Sequence, residues 1–211
     1  MEWRESAGAD AATNSSVGPI LDISTGTGDV AILQALEIQS RGLRTHVVAL
    51  DPSEGMLGFA AKKLAARGLQ GLVQLVPCGA EDMARFADES FRQVTVSFGV
   101  RNFLQRAEAL REMRRVLRRE GHLFVLEFFA PRQSLLAPLA AFFLKRVLPH
   151  IGLIVSGGAA RAEYQHLSRS ILLFPPPAAF ARELEAAGFG SCVDTDVFFD
   201  IVHLVACAPI A

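Results

Sequence analysis

The sequence has little net charge, few cysteines and no long uninterrupted apolar run. Its 211 residues carry 21 Lys and Arg against 22 Asp and Glu, so charge gives no argument for nucleic acid as a partner. Cys78, Cys192 and Cys207 lack the spacing of a metal site or a redox motif, and we predict that they are reduced in a cytoplasmic protein. No metal is expected. Residues 1–18 are polar and small, so we expect no secretory signal there.

The most apolar segment, residues 135–155, is interrupted by prolines and charges. Lys145 and Arg146 lie inside it. A membrane-spanning helix needs about 20 mostly apolar residues, and charges near its centre are costly. We therefore predict no transmembrane span. Contact of this segment with a membrane surface or an apolar substrate stays open, beside the alternative of an ordinary core helix.

Short apolar runs alternate with helical patterns along most of the chain. Strands are predicted at residues 20–23, 45–50, 72–76, 93–97 and 122–127, and helices at residues 30–39, 53–66 and 104–117. This alternation predicts a parallel sheet with helices on both faces. A helix at 178–187 precedes a hairpin of strands at 191–197 and 201–206, which gives seven strands. We predict one domain over residues 1–211, with an apolar insertion at 131–174.

A glycine-rich turn follows the first strand. Gly26 and Gly28 can adopt positive φ and let a ligand approach the backbone, at the end of the strand where open α/β sheets bind ligands. Ala31 stands where a dinucleotide motif has its third glycine, and no Lys-Ser/Thr pair follows, which excludes a P-loop. Asp51 ends the second strand and can accept hydrogen bonds from ribose hydroxyls. Together the glycine turn and Asp51 favour a site for a nucleoside cofactor. The alternatives are a tight turn without a ligand at the glycines and a helix cap at Asp51.

Small and polar residues also follow the third and fourth strands. Gly79, Ala80 and Glu81 could let an adenine ring lie against the backbone, although an ordinary loop is the simpler interpretation. Arg101 and Asn102 follow the fourth strand, where an arginine could hold a substrate oxyanion. A surface salt bridge is the alternative for this arginine. No Gly-x-Ser-x-Gly turn or evident Ser–His–Asp set occurs.

Three segments resemble the UbiE-type C-methyltransferases of ubiquinone and menaquinone biosynthesis, which use S-adenosylmethionine. They are LDISTGTGD at residues 21–29, DPSEGML at 51–57 and SFGVRN at 97–102. Residues 109–117, 123–128 and the tail between 148 and 189 also fit, so the resemblance covers about residues 18–207. It implies the Rossmann-like class I methyltransferase fold, with S-adenosyl-L-methionine as cofactor.

The resemblance and the residue patterns together assign site residues. Those expected to bind the cofactor are Ser24, Gly26, Thr27, Gly28, Asp51, Pro52, Met56, Gly79, Ala80, Glu81 and Ser97. Those expected to act on the substrate are Arg101, Asn102, Tyr164 and His166. Arg101 would hold a phenolate or orient a water that acts as base, since a guanidinium is itself a poor base. The other three would orient the ring, with His166 a candidate base.

The implied reaction is methylation of a ring carbon of a prenylated quinol, either demethylmenaquinol or a ubiquinone precursor. The apolar insertion would meet the prenyl tail and the membrane surface, so we expect a cytoplasmic enzyme peripheral at the inner membrane. It would act as a homodimer or within a quinone-synthesis complex. A methyltransferase for another small molecule and a non-catalytic cofactor-binding subunit are the two alternatives.

The chain departs from the family's pattern at several places. Gly79 stands where the family has Asn or Asp, which removes a side-chain contact near the adenine. His166 replaces a tyrosine, Arg169 replaces a glutamate, and residues 175–177 are all proline. The family also carries a further segment before the point that Trp3 resembles. We therefore expect a truncated or alternatively started form, which would bind cofactor weakly or need a partner to complete its lid.

Overall fold

A computed structural model describes residues 18–130, 167, 169–198 and 200–210, and these residues form one mixed sheet. Its strands are β1 (Ile20–Ile23), β2 (Val47–Asp51), β3 (Val73–Pro77), β4 (Phe91–Ser97), β5 (Leu117–Phe128), β6 (Phe189–Phe198) and β7 (Val202–Pro209). They lie in the order β3-β2-β1-β4-β5-β7-β6. The first five strands are parallel, and β7 runs antiparallel to both β5 and β6. The predicted seven-stranded sheet with its terminal hairpin is confirmed.

The helices end where the sequence provides caps. Within the described residues they are α1 (Asp29–Arg41), α2 (Glu54–Arg67), α3 (Arg106–Val116) and α4 (Pro177–Ala186), with a 3-10 turn at Val100–Asn102. The Ser53 side chain accepts a hydrogen bond from the Met56 N–H at 3.3 Å and caps α2. Gly42 and Gly68 end α1 and α2 in the left-handed conformation. All the predicted helices within the described residues are present, with shifted ends.

Both faces of the sheet are covered, because alternate residues of a strand point to opposite faces. On one face, Val47 and Ala49 of β2 pack against α1 and α2 in one buried cluster. On the other face, Val48 and Leu50 join a larger cluster with residues of β4, β5, α3 and α4. This layering buries every residue of β2 and leaves the loops at the strand ends as the surface where a ligand can bind.

The prediction that all three cysteines are reduced is wrong for two of them. Cys192 and Cys207 form a disulfide between β6 and β7, with their Cα atoms 4.2 Å apart. Cys78 is the free cysteine within the described residues. The two bonded residues are 15 positions apart in the sequence, and this spacing alone does not predict a disulfide. The antiparallel register of β6 and β7 is what brings them together.

Most of the predicted apolar insertion at 131–174 lies outside the described residues. Its described part is residues 167 and 169–174, which are helical at 167 and 169–173 and precede α4. Residues 135–155, which were predicted to contact an apolar tail or a membrane, are not described. Within the described part of the chain, no helix combines the length and apolarity needed to cross a bilayer.

Gly28 should be less tolerant of a side chain than other left-handed glycines. It has a φ of 82°, and a Cβ added there would lie 2.9 Å from the Ala60 Cβ on α2. Gly42 has a φ of 61° with open space around the same position. We expect Gly28→Ala to lower the free energy of unfolding by about 1–3 kcal/mol more than Gly42→Ala, because only Gly28 adds overpacking to backbone strain. Urea unfolding of both variants measures this, and equal losses would contradict it.

Candidate active site

The loops that follow β1, β2, β3 and β4 surround one cavity of about 650 Å³. Its lining residues are Ser24, Gly26, Asp51, Pro52, Ser53, Met56, Gly79, Ala80, Glu81, Phe98, Gly99, Asn102, Phe103 and Leu104. Because parallel strands bring their carboxyl ends to the same edge, residues from four separate segments meet here. This is the place in the sheet where the sequence predicted a ligand.

The loop after β1 is held in an unusual backbone conformation. Ser24 and Gly26 both have a φ of 55°, in the left-handed region. Thr25, between them, is anchored by its N–H to the Leu50 carbonyl at 2.8 Å and by its hydroxyl to Asp22 Oδ2 at 2.6 Å. A Cβ added at Gly26 would meet nothing within 4 Å, so this glycine leaves the cavity open to a ligand beside the backbone.

Asp51 joins the loops after β1 and β2. Its Oδ2 accepts a hydrogen bond from the Gly26 N–H and its Oδ1 accepts one from the Ser53 N–H, each at 2.9 Å. The residue is 8% exposed and lines the cavity. Since each carboxylate oxygen can accept two hydrogen bonds, both oxygens retain capacity for a hydroxyl donor. This geometry suits the two adjacent hydroxyls of a ribose.

The loop after β4 lies directly against the loop after β1. Phe98 has a φ of 58°, and Gly99 follows it. A Cβ added at Gly99 would lie 2.7 Å from the Ser24 Cβ, so a glycine is required at this contact. Phe98 stacks on Phe128 of β5, with ring centroids 4.5 Å apart, and also lines the cavity. Strained residues on both loops are the kind of feature found at functional sites.

The cavity gathers most of the predicted cofactor-binding residues. Those it brings together are Ser24, Gly26, Asp51, Pro52, Met56, Gly79, Ala80 and Glu81. Thr27, Gly28 and Ser97 do not line it, and their contact with a cofactor stays a prediction. The Thr27 hydroxyl donates to Asp29 and accepts from Lys63 Nζ at 2.7 Å. Its hydrogen bonds are therefore made with side chains of α1 and α2.

Several lining residues of the first cavity were not among the site residues predicted from the sequence. Ser53, Phe98 and Gly99 lie within the segments DPSEGML and SFGVRN, which carried the family resemblance. Phe103 and Leu104 follow the second of these segments. The signal for the first three residues was therefore present in the motifs, whereas an apolar residue just beyond a motif gives no sign of facing a cavity.

A second cavity of about 510 Å³ adjoins the first. Asn102, Phe103 and Leu104 line both cavities and form their common wall. The other residues of the second cavity are Arg101, Arg106, Arg169, Ser170, Leu173 and Phe174. Of the two predicted residues, Asn102 therefore lies in the common wall and Arg101 lines the second cavity. Tyr164 and His166 lie outside the described residues.

Arg101 lies in a buried ion pair and not at the surface. Its side chain is 9% exposed, and Nη1 forms an ion pair with Oε1 of the fully buried Glu127 at 2.6 Å. Nη1 also donates to the Phe98 carbonyl, and Nε donates to the Ser170 hydroxyl at 3.3 Å. The alternative of a surface salt bridge is thus wrong, because the pair is buried. Its contact with a substrate oxygen stays a prediction.

A buried acid lies under the loop after β1. Asp22 is 1% exposed, and desolvation raises its pKa to about 6, although hydrogen bonds from Thr25 and Thr95 oppose the rise. The Thr95 hydroxyl lies 2.8 Å from Oδ1 and in turn accepts from Gln34 Nε2 at 3.1 Å. This network fixes the start of the loop to the neighbouring strand β4 and to α1.

The residues present fit a nucleoside cofactor with a sulfonium side chain. The loop at Gly26 leaves open space beside the backbone, and Asp51 offers two carboxylate oxygens with spare lone pairs. Small or apolar groups from Gly79, Ala80 and Met56 line the same cavity, as a purine ring requires. A carboxylate beside the cavity also suits a ligand that carries positive charge.

Comparison of the sequence with known proteins identifies the family of this chain. The model of the ubiE/COQ5 methyltransferase family matches residues 1–205. The chain belongs to the ubiE/COQ5 methyltransferase family. A ubiquinone/menaquinone biosynthesis C-methyltransferase UbiE from Syntrophotalea carbinolica is 39% identical over 202 residues, 96% of this chain and 81% of that protein. A demethylmenaquinone methyltransferase from Thermus thermophilus is 36% identical over 189 residues, 90% of this chain and 81% of its own.

Solved structures establish the fold of this methyltransferase independently. A SAM-dependent methyltransferase from Aquifex aeolicus superposes with a TM-score of 0.62 at 16% identity, covering 92% of this chain and 84% of its own. YcgJ from Bacillus subtilis gives a TM-score of 0.60 at 19% identity over 86% of this chain and 65% of its own. The chain has the Rossmann-like class I fold, and as a ubiE/COQ5 methyltransferase it uses S-adenosylmethionine.

Removing the charge of Asp51 should weaken cofactor binding. Asp51→Asn keeps the size of the side chain but places an amide N–H₂ against one of two backbone N–H donors. We expect the affinity for S-adenosylhomocysteine to fall by about 10- to 100-fold, the value of a hydrogen bond to a charged group. Isothermal titration calorimetry measures it. Asp88→Asn, an exposed carboxylate paired with Arg115, is the control and should bind as the parent does.

Asp22 should make stability fall as the pH rises. Its pKa is 3.8 in a model compound and about 6 in the fold, so between these values the folded state holds a proton that the unfolded state has lost. The contribution is complete below about pH 4 and is lost above about pH 6. From about pH 5 to about pH 7.5 the loss should be about 1 kcal/mol relative to Asp22→Asn. Urea unfolding at both pH values tests this, and a constant difference would contradict it.

Proposed function

We propose that this methyltransferase methylates a ring carbon of a prenylated quinol, such as demethylmenaquinol or a ubiquinone precursor. The observation that carries the proposal is the wall of Asn102, Phe103 and Leu104, which separates two adjoining cavities. The first cavity suits the cofactor, and the second has room for an aromatic acceptor beside it. The names of the relatives support the choice of acceptor.

The residues of this chain would orient the two reactants and handle the phenolic proton. When bound, S-adenosylmethionine supplies an electrophilic methyl group attached to a positively charged sulfur. Loss of the phenolic proton to a water makes the adjacent ring carbon nucleophilic, so a cation near the oxygen favours the reactive form. After this carbon has taken the methyl group, it loses its own hydrogen as a proton to water, which restores the aromatic ring. Arg101 lines the second cavity and is the cation we assign to this oxygen, with Asn102 orienting the ring. Holding both reactants in line can contribute about 7–11 kcal/mol.

The surroundings of the second cavity favour a substrate with an apolar tail. Leu104 is 96% exposed and Leu173 is 73% exposed, and both line this cavity. Two large apolar side chains exposed at one cavity form a surface that a prenyl chain could cover. We also assign this side of the molecule to contact with a membrane surface that contains the quinol. Formation of a homodimer or of a quinone-synthesis complex stays a prediction.

Transfer of labelled methyl from S-adenosylmethionine to demethylmenaquinol tests the proposed function. We expect the purified chain to form methylated quinol, and Arg101→Lys to lower kcat by about 100-fold or more, since an ammonium cannot reproduce the guanidinium geometry. Arg119→Lys, in an exposed ion pair with Glu89, is the matched control and should retain full activity. Product is measured by mass spectrometry after extraction.

The same assay separates the alternatives. Equal rates with prenylated and unprenylated naphthoquinols would favour a methyltransferase for another small molecule. Binding of S-adenosylhomocysteine without methyl transfer to any quinol would favour a non-catalytic cofactor-binding subunit and would contradict the proposed function.

A further inference from the structure

Glu127 is a buried carboxylate without a role in the function proposed above. It lies near the end of β5 and its side chain is 0% exposed. Its Oε1 accepts hydrogen bonds from Arg101 Nη1 at 2.6 Å and from the Phe128 N–H at 2.8 Å. Its Oε2 accepts one from the Arg101 N–H at 3.2 Å. A single carboxylate thus holds both the backbone and the side chain of Arg101.

Within the described part of the chain, the contacts of Arg101 leave one of its nitrogens without a partner. Nη1 and Nε are bonded to Glu127, to the Phe98 carbonyl and to the Ser170 hydroxyl. Nη2 has no hydrogen-bond partner among the described residues, and it is not one of their buried polar atoms without a partner. Since Arg101 lines the second cavity, the N–H groups of Nη2 can reach an oxygen bound there.

The charge of Glu127 affects how strongly the Arg101 guanidinium can stabilise a phenolate. An unpaired guanidinium beside the cavity would strongly favour a phenolate, whereas a guanidinium already paired with a carboxylate favours it less. The pair is buried, so solvent screens neither charge fully. The carboxylate therefore has two effects, because it sets the direction of Nη2 and reduces the positive potential in the cavity.

We propose that Glu127 is a positioning residue, which directs Arg101 Nη2 into the second cavity and limits how strongly the guanidinium stabilises a phenolate bound there. The inference rests on the proposed function, since it takes the second cavity as the place of a phenolic substrate. It adds a residue outside both cavities to the groups that govern the reaction.

Other charged or titratable groups lie near the pair. They are Arg106, Glu183, Arg169, His203, Asp194 and Asp200. His203 lies opposite Glu127 in the register of β5 and β7, and its Nδ1 is 2.9 Å from Asp194. Arg106 is paired with Glu183 at 2.6 Å. All of these residues are unchanged in the variants below, so a difference between variants reports on Arg101 and Glu127.

The test uses a nitronaphthol whose phenolate absorbs visible light, bound to the chain in the presence of saturating S-adenosylhomocysteine. The absorbance of the bound probe, titrated with pH, gives its pKa in the site without any turnover. We expect Glu127→Gln to lower this pKa by about 1 to 3 pH units relative to the parent, because Arg101 then carries an uncompensated charge. Glu89→Gln, an exposed glutamate paired with Arg119, is the control and should leave the pKa unchanged.

A purely structural role of Glu127 instead predicts a rise with Glu127→Gln, because a misplaced Arg101 stabilises the phenolate less. If Glu127→Gln does not fold, Arg101→Gln and the double variant Arg101→Gln with Glu127→Gln carry the test, since they differ only in the charge of Glu127. The pKa of the bound probe should be lower in the double variant, which lacks the negative charge beside the phenolate. A purely structural role predicts equal values, because neither variant has an Arg101 to position.

A rise or no change with Glu127→Gln would overturn the role of Glu127. With a single variant that does not fold, equal pKa values in Arg101→Gln and the double variant would overturn it. Absence of nitronaphthol binding to the parent chain would also overturn it, because the second cavity would not take a phenol. Methyl transfer to demethylmenaquinol decides the proposed function separately. A chain that shows the predicted pKa pattern but no transfer contradicts only that function.

Discussion

A close contact between two loops sets the geometry of the active site. Gly99 after β4 lies so near Ser24 after β1 that no larger residue fits without displacement. The contact fixes the distance between the loop that carries Gly26 and the loop that leads to Arg101 and Asn102. The first and the second cavity are therefore held at a fixed distance from each other, which the proposed reaction between two bound molecules requires.

Three buried carboxylates on strands of the parallel part of the sheet hold these loops. Asp22 on β1 fixes Thr25, Asp51 on β2 accepts from Gly26 and Ser53, and Glu127 on β5 accepts from Arg101. Buried polar groups need partners and loop N–H groups need acceptors, so Asp51 and Glu127 satisfy both needs at once, whereas Asp22 accepts from the hydroxyls of Thr25 and Thr95. The acids thus organise the backbone under the site as well as contributing charge to it.

Much of this fold follows from the sequence, because alternating apolar runs and helical patterns leave few arrangements for a chain with right-handed crossovers. The glycine turn and Asp51 were also predictable, since their chemistry is local to one strand end. The partners of Arg101 were not. Glu127 is 26 positions away, and only the register of β4 and β5 brings it close. The disulfide of Cys192 and Cys207 depends in the same way on strand pairing.

The order of the strands has a consequence for synthesis on the ribosome. β7 follows β6 in the sequence but lies between β5 and β6 in the sheet. As the nascent chain emerges, the parallel strands β1 to β5 can find their neighbours, whereas β6 has no edge to join until β7 has been made. Until then the backbone N–H and C=O groups of β6 have no partner strand, beside apolar side chains such as Val193 and Val197 that stay exposed even in the finished sheet. The last pairing of the sheet is thus the one most open to chaperones.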